Sequence, residues 1–321
     1  MNVRRQISTA AVAGVSVLGL LALSACSTSS GARTADGRLR VTASFYPLQF
    51  LAEQIGGKHV EVSNLTKPGV EPHDLELKPK QTAQLGESGA IVYLKGLQPA
   101  VDAAVEQSGV ENVADAASLT RLEAHGNEVD GHHHTTGDNH SGHSGEEGAN
   151  DPHIWLDPVK FAEVAKGVGK TLAKADPAHK ADYRKNTDAL VTKLNRLDTD
   201  FRDGLKNKAS DTFITTHAAF GYLAERYGLT EEAISGIDPE SEPSANRIKD
   251  LHTLAAEHHV STVFFETIAN PATAKALAGD LHLKTDVLDP LEGITDTSRG
   301  KDYFGVQRAN LAALQKALGS K

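Results

Sequence analysis

Residues 177–205 constrain the chain more than any other stretch. Tyr183, Leu190, Leu194, Leu197, Phe201 and Leu205 recur at close to a 3.6-residue period, and the positions between them are mostly charged or polar. This pattern predicts one long amphipathic helix with a single apolar stripe. Asp176-Pro177 opens it. At 1.5 Å per residue such a helix reaches roughly 40 Å, about the width of a whole lobe. Short apolar segments alternate with amphipathic ones on either side of it, so the helix is expected to be a rigid connector between two halves.

Each half reads as α/β. Residues 39–43 and 60–65 alternate as strands, and Ala90-Ile91-Val92-Tyr93-Leu94 is apolar throughout, as a strand buried on both faces of a parallel sheet would be. Helices are expected at 46–55, stopped by Gly56-Gly57, at 79–87 and at 158–174. The second half repeats the alternation, with strands at 212–216, 233–237, 261–265 and 285–290. Helices are expected there at 218–227, 244–259, 271–281 and 301–318.

Two loops of one style stand out against this scaffold. Glu71-Pro72-His73-Asp74 and Asp151-Pro152-His153-Ile154-Trp155-Leu156-Asp157-Pro158 each set a histidine after a proline and among carboxylates. Proline stiffens the backbone, and a carboxylate can orient the ring, as a metal ligand requires. A third histidine ends a predicted strand in Thr215-Thr216-His217. A lone histidine is more often structural or merely exposed. Three in this setting make a bound transition metal the leading expectation. His73, His217 and Asp289 fall just past predicted strands, where open parallel sheets bind ligands.

The pattern collapses over residues 123–150. His125, His132, His133, His134, His140 and His143 lie here among Gly, Asp, Glu, Asn and Ser. With almost nothing apolar to bury, this is expected to be a disordered loop. The bland reading is low-complexity filler. The sharper one is an accessory metal-capturing tract that loses affinity as its imidazoles protonate below about 6.5.

A formal net charge of −9 argues against nucleic acid as a partner and suits attraction of cations. The single cysteine, Cys26, excludes an intramolecular disulfide. Arg4 and Arg5 precede an apolar run that is short for a membrane span, which is the layout of a secretory signal. Leu23-Ser24-Ala25-Cys26 resembles a bacterial lipobox, which implies cleavage before Cys26 and lipidation there. The expected division is a signal peptide at 1–25, a lipidated flexible tether at 26–38 and an N-terminal lobe at 39–176. A linker helix at 177–207 and a C-terminal lobe at 208–321 follow.

Taken together, the two Pro-His loops, Thr216-His217-Ala218-Ala219-Phe220-Gly221-Tyr222, Glu242-Pro243-Ser244, Val263-Phe264-Phe265-Glu266, Leu288-Asp289-Pro290-Leu291, Tyr303 and Asn310 resemble one family. It is the metal-binding lipoprotein or periplasmic component of zinc or manganese ABC importers, and the resemblance spans nearly all of the chain from residue 39. It implies two (β/α) lobes with parallel sheets joined by a long rigid helix, little hinge motion, and a metal site in the interlobe cleft. Carried over by motif, the ligands are His73, His153, His217 and Asp289. Three imidazoles and a carboxylate suit tetrahedral Zn²⁺ as the transported ion, whereas manganese favours more oxygen. Glu71 stands where the family often has a small residue, which leaves Asp289, Glu71 and water open as the fourth ligand. Asp74, Asp157 and Glu266 are candidates to accept the free ring N–H of a ligand histidine. The implied partners are an ABC permease and its ATPase, for a monomer held by Cys26 at the outer face of a bacterial cell membrane. A manganese carrier and an extracellular metal buffer or adhesin are the alternatives. A zinc hydrolase fits least, because a carboxylate is at hand to close the position that catalysis needs open.

Overall fold

The expected alternation folds into two separate parallel sheets. The computed structural model describes residues 31–126 and 150–320. The expected signal segment, Cys26, and His132, His133, His134, His140 and His143 lie outside the described residues. The first sheet holds β1 (Leu39–Ala43), β2 (Val60–Asn64), β3 (Ala90–Tyr93) and β4 (Val113–Asp115) in the order β2-β1-β3-β4. The second holds β5 (Thr212–His217), β6 (Thr230–Ser235), β7 (Thr262–Phe265) and β8 (Lys284–Val287) in the order β6-β5-β7-β8. Every neighbouring pair is parallel. Each sheet reverses its winding direction beside its first strand, which opens a crevice past the carboxyl ends of the strands.

Helices α1 (Tyr46–Gly56), α2 (Pro79–Gly86), α3 (Pro99–Gln107), α4 (Ala116–Leu119) and α5 (Pro158–Ala175) accompany the first sheet. The connector is α6 (Lys180–Gly204), entered through a 3₁₀ turn at Pro177–His179. Helices α7 (Gly221–Tyr227), α8 (Ala245–Glu257), α9 (Ala272–Asp280) and α10 (Tyr303–Leu318) accompany the second sheet. Proline begins α2, α3 and α5, where its missing N–H costs nothing. The Asp157 side chain accepts from the N–H groups of Val159 and Lys160 and so caps α5. Gly228, with φ of 60°, ends α7 in the left-handed conformation that glycine adopts without strain. The expected strand at 233–237 starts three residues earlier, at Thr230. The strand β4 has only three residues, and its pairing with β3 defines it more than its own sequence does.

The apolar stripe of α6 is buried along its whole length, from Tyr183 to Leu205. The helix packs on α1 and α5 and touches α10. Phe201 stacks on Tyr227 of α7 at 5.1 Å. The return helix α10 crosses back to the first lobe, where Tyr303 stacks with Phe50 at 5.3 Å and meets Phe161 at 4.8 Å. One apolar core therefore runs from Val41 and Val92 of the first sheet, through α6, to Phe213 and Phe264 of the second. A smaller core lies behind each sheet. Among the described residues no helix is long and apolar enough to cross a membrane.

Helices α5 and α6 approach closely because glycine lines the contact. A Cβ on Gly169 would run into Thr187 of α6, whose hydroxyl already donates to the Tyr183 carbonyl at 2.8 Å. Gly169→Ala should therefore lower stability by about 1–3 kcal/mol through overpacking, partly offset by a helix-propensity gain of up to about 1 kcal/mol. Thermal denaturation of the two proteins checks this. An unchanged midpoint would mean that Thr187 simply turns aside.

Candidate metal centre

Three strand ends and one helix start bring the site together. His217 is the last residue of β5, held by its pairing with Ser235 of β6. Glu266 follows β7, and its carboxylate accepts the His217 Nδ1–H at 2.6 Å. His153 precedes the 3₁₀ turn Ile154–Leu156 that leads into α5. One oxygen of Asp151 accepts both the His153 backbone N–H, at 2.9 Å, and its Nδ1–H, at 2.8 Å. His73 lies in the long loop after β2, and its N–H donates to Glu71 at 3.2 Å. An ionised carboxylate only accepts, so each buried imidazole carries a proton on Nδ1, and Nε2 is the atom that a metal could take in exchange for a proton.

All three Nε2 atoms point at one oxygen. Glu292 Oε1 lies 3.1 Å from His73, 3.2 Å from His153 and 3.4 Å from His217. The Nε2 atoms of His153 and His217 are 3.4 Å apart. One donor atom from each of the four residues falls within 4.8 Å of all the others. An ion with bonds of about 2.0–2.1 Å holds tetrahedral ligands about 3.3 Å apart, so the group is close to the size such an ion needs. Glu292 Oε2 is buried and has no hydrogen-bond partner, so a lone pair remains for a cation. His153 and His217 are fully enclosed, while the His73 side chain is 10% exposed and marks the open side.

The charges in this pocket offset one another. Burial pushes both enclosed imidazoles down. For His153 the Asp151 and Glu292 carboxylates override it and raise the group to about 9. For His217, Glu266 and Glu292 raise it well above its ordinary value. Burial pushes Glu292 up, but the three imidazoles hold it well below the usual carboxylate range. A cation entering the group would take over the role of those protons.

The fourth member is Glu292 and not Asp289. Asp289 is committed elsewhere: one carboxylate oxygen accepts the Leu291 N–H at 2.8 Å and the other the Thr267 hydroxyl at 2.8 Å. Its backbone is clamped by Asn310 through bonds of 2.9 and 2.7 Å. Asp289 thus builds a turn in which buried Leu291 takes φ of 61°, and that turn aims Glu292 inward. Glu71 lies beside the group without joining it. Burial first, and then the negative Glu292, raise its carboxyl to about 8. The Glu266 carboxylate faces the His217 Nδ1–H. Asp157 caps α5 and pairs with Arg226 of α7, and Asp74 is exposed, so neither is engaged with an imidazole of the group. Of the His-rich segment's histidines, His125 is described. It bonds Asp151 and Glu225 away from the centre. Asp151 stood in the quoted Asp-Pro-His run, and its offset of two residues from His153 is the signal that could have identified it. An acid just past the Pro290 turn was the corresponding signal for Glu292.

The fold is that of a two-lobed α/β protein whose crevice gathers three imidazoles and a carboxylate. The chain belongs to the family described as zinc-uptake complex component A, periplasmic, which matches residues 41–317. It is 35% identical over 297 residues to the zinc-binding protein AdcA of Streptococcus pyogenes serotype M3, covering 88% of this chain and 56% of that protein. The chain thus spans little more than half the length of that relative. It is also similar to the high-affinity zinc uptake system protein ZnuA of Bacillus subtilis, with 34% identity over 307 residues, 93% of this chain and 94% of that one. Among solved structures it resembles the laminin-binding protein Lmb of Streptococcus agalactiae, described as bifunctional with adhesin and metal-transporting activity. The TM-score is 0.76 at 30% identity, covering 88% of this chain and 99% of that one.

Behind His217, Glu231 of β6 accepts from the Thr215 hydroxyl at 2.8 Å and from the Phe220 N–H at 3.0 Å. Burial raises its carboxyl from 4.5 to about 7. Between those values the folded chain keeps a proton that the unfolded chain releases, so stability falls as pH rises through this window and stays reduced above it. Glu231→Gln should remove that slope and raise stability at pH 8 by about 2 kcal/mol, with little effect below pH 4.5. Denaturant unfolding of both proteins across this pH range checks the prediction. Parallel curves would show that Glu231 ionises freely in the fold.

Proposed function

We propose that this chain is the extracytoplasmic zinc-binding component of an ABC importer, taking up Zn²⁺ as cargo and delivering it to a membrane permease driven by an ATPase. The observation that carries the reading is the convergence of His73, His153 and His217 on buried Glu292, with only the His73 side chain appreciably exposed, at 10%. Three nitrogen donors and one oxygen suit Zn²⁺, while manganese prefers more oxygen and a larger coordination shell. Membership of a zinc-uptake family supports the same cargo.

His73, His153, His217 and Glu292 are the proposed ligands. Asp151 and Glu266 hold two of the imidazoles by Nδ1, which fixes their tautomer and strengthens Nε2 as a donor. Ion entry displaces protons from the imidazoles. The apolar core shared by the lobes keeps them from swinging apart, so release relies on local movement of the His73 loop when the permease is met. Anchoring through a lipid at Cys26, a monomeric state and an accessory metal-capturing role for His125, His132, His133, His134, His140 and His143 belong to the same proposal. A four-ligand site closed by protein groups suits carriage and leaves no position for an activated water.

A competitive chelator titration with Zn²⁺ and Mn²⁺ tests the assignment. Wild type should take up one tight Zn²⁺. Glu292→Gln should weaken that site by about 100-fold or more, as loss of a charged ligand exceeds the 10- to 100-fold effect of losing its support. Asp289→Asn keeps one acceptor oxygen for the Leu291 N–H and turns the other position into a donor that the Thr267 hydroxyl can accept, so it should change affinity by less than about 10-fold. The reverse ranking would return Asp289 to the metal, and absence of any tight Zn²⁺ site would refute the zinc-carrier reading.

A further inference from the structure

His73 is the imidazole of the group that no carboxylate steadies from behind. Asp151 faces Nδ1 of His153 and Glu266 faces Nδ1 of His217, while among the described residues no acid faces Nδ1 of His73. Its loop, residues 65–78 between β2 and α2, contains no helix or strand. Val70 at the tip is 41% exposed, and Gly69 lies beside Thr295 of the second lobe. Some other contact has to seat this ring against Glu292.

Gln98 supplies it. The residue is buried just before α3, where its backbone carbonyl accepts from the Val101 and Asp102 N–H groups at 2.9 and 3.0 Å. Side chains at such a position commonly bond the first N–H groups of the helix, but that of Gln98 makes no such bond. Its amide nitrogen donates instead to the Pro72 carbonyl at 3.0 Å and to the Thr66 hydroxyl at 3.1 Å. These partners fix which way the amide faces. The Pro72 carbonyl only accepts, and the Thr66 hydroxyl already donates to the Ser44 carbonyl at 2.8 Å. Gln98 Oε1 is left buried, with no hydrogen-bond partner among the described residues. An unpaired buried acceptor costs stability, and an apolar side chain of the same size would avoid that cost. Packing therefore does not account for a glutamine here, whereas its two donors do. They clasp the loop at the residue next to His73 and tie it to Thr66, whose own N–H is held by the Ser44 carbonyl at 3.2 Å.

We propose that Gln98 is the positioning residue for His73, and that Zn²⁺ leaves the centre through a lifting of the loop that breaks the Gln98–Pro72 bond. This rests on the zinc-carrier reading above. Leu75 and Leu77 pack against the small core of the first lobe and form the foot of the loop. The bond from the Leu75 N–H to the Pro72 carbonyl, at 3.3 Å, lies inside the loop and does not tie it to the lobe. The clasp at Pro72 is thus the contact that separates a seated His73 from a lifted one.

Stopped-flow release from the full chain, loaded with one equivalent of Zn²⁺ and mixed with excess chromogenic chelator, tests this. Gln98→Met keeps the length of the side chain and drops both donors. Release should quicken by about 10-fold or more, and affinity should fall by the same factor with association little changed. The thermal midpoint of the metal-free chain should hold or rise, because the unpaired acceptor is gone. Amide exchange in the metal-free chain should quicken over residues 70–75 and not in β1 or β3. Gln98→Leu, a second removal of both donors, should follow the same pattern. Release from Gln98→Met at the wild-type rate would overturn the proposal. So would faster release with a lower midpoint and quicker exchange throughout, the mark of a general loss of structure. Absence of a tight Zn²⁺ in wild type would sink the carrier reading by itself, and exchange over 70–75 would still decide the clasp. Quicker exchange there in Gln98→Met supports it, and equal exchange overturns it.

Discussion

Much of this structure depends on one buried carboxylate. Glu292 is about as enclosed as a side chain can be, at 1% exposure, and such a charge is costly to bury unless it is paired. Three imidazoles supply the pairing from three separated stretches of chain. Two of these are themselves anchored, His153 by Asp151 and His217 by Glu266. Removing any member leaves a charge or a lone pair stranded in a dry pocket. The geometry is therefore held by mutual need, and the sheets around it serve to bring the four groups to one point.

The lobes cannot be treated as two bodies on a flexible hinge. The apolar stripe of α6 and the return of α10 to the first lobe weld both sheets to one core. Tyr303 reaches from α10 to donate its hydroxyl proton to the Trp155 carbonyl at 2.6 Å, and Trp155 Nε1 donates to the Pro290 carbonyl at 2.6 Å. These bonds tie the turn that aims Glu292 to the segment that carries His153. A wide domain closure would have to break them and expose the shared core. Loop movement around His73, whose ring is the exposed one, asks for much less.

Much was legible before any coordinates. The long helix declared itself by period, and its stripe is the buried face. The apolar run at Ala90–Tyr93 is a strand buried along its length. The two Pro-His loops marked two of the imidazoles, and the end of β5 marked the third. The short strand β4 was not legible, because three residues carry too little pattern and the partner strand decides the pairing. Asp289 against Glu292 is the instructive case. Both are acids beside Pro290 and past the last strand of the sheet, and local sequence does not say which carboxylate the turn consumes.

The chain's own order of residues determined what is periodic or locally stiff: the connector helix, the strand–helix alternation and the histidines set behind prolines. These follow from backbone geometry and the burial of apolar faces, which act over a few residues. Only the tertiary structure decided which acids serve which histidines. Asp151, Glu266 and Glu292 take their roles from distances across the crevice. Asp289 stays outside the cluster because Thr267 and Leu291 occupy its carboxylate and Asn310 clamps its backbone. Hydrogen-bond satisfaction in a buried site is settled by all the neighbours at once, and no linear spacing encodes it.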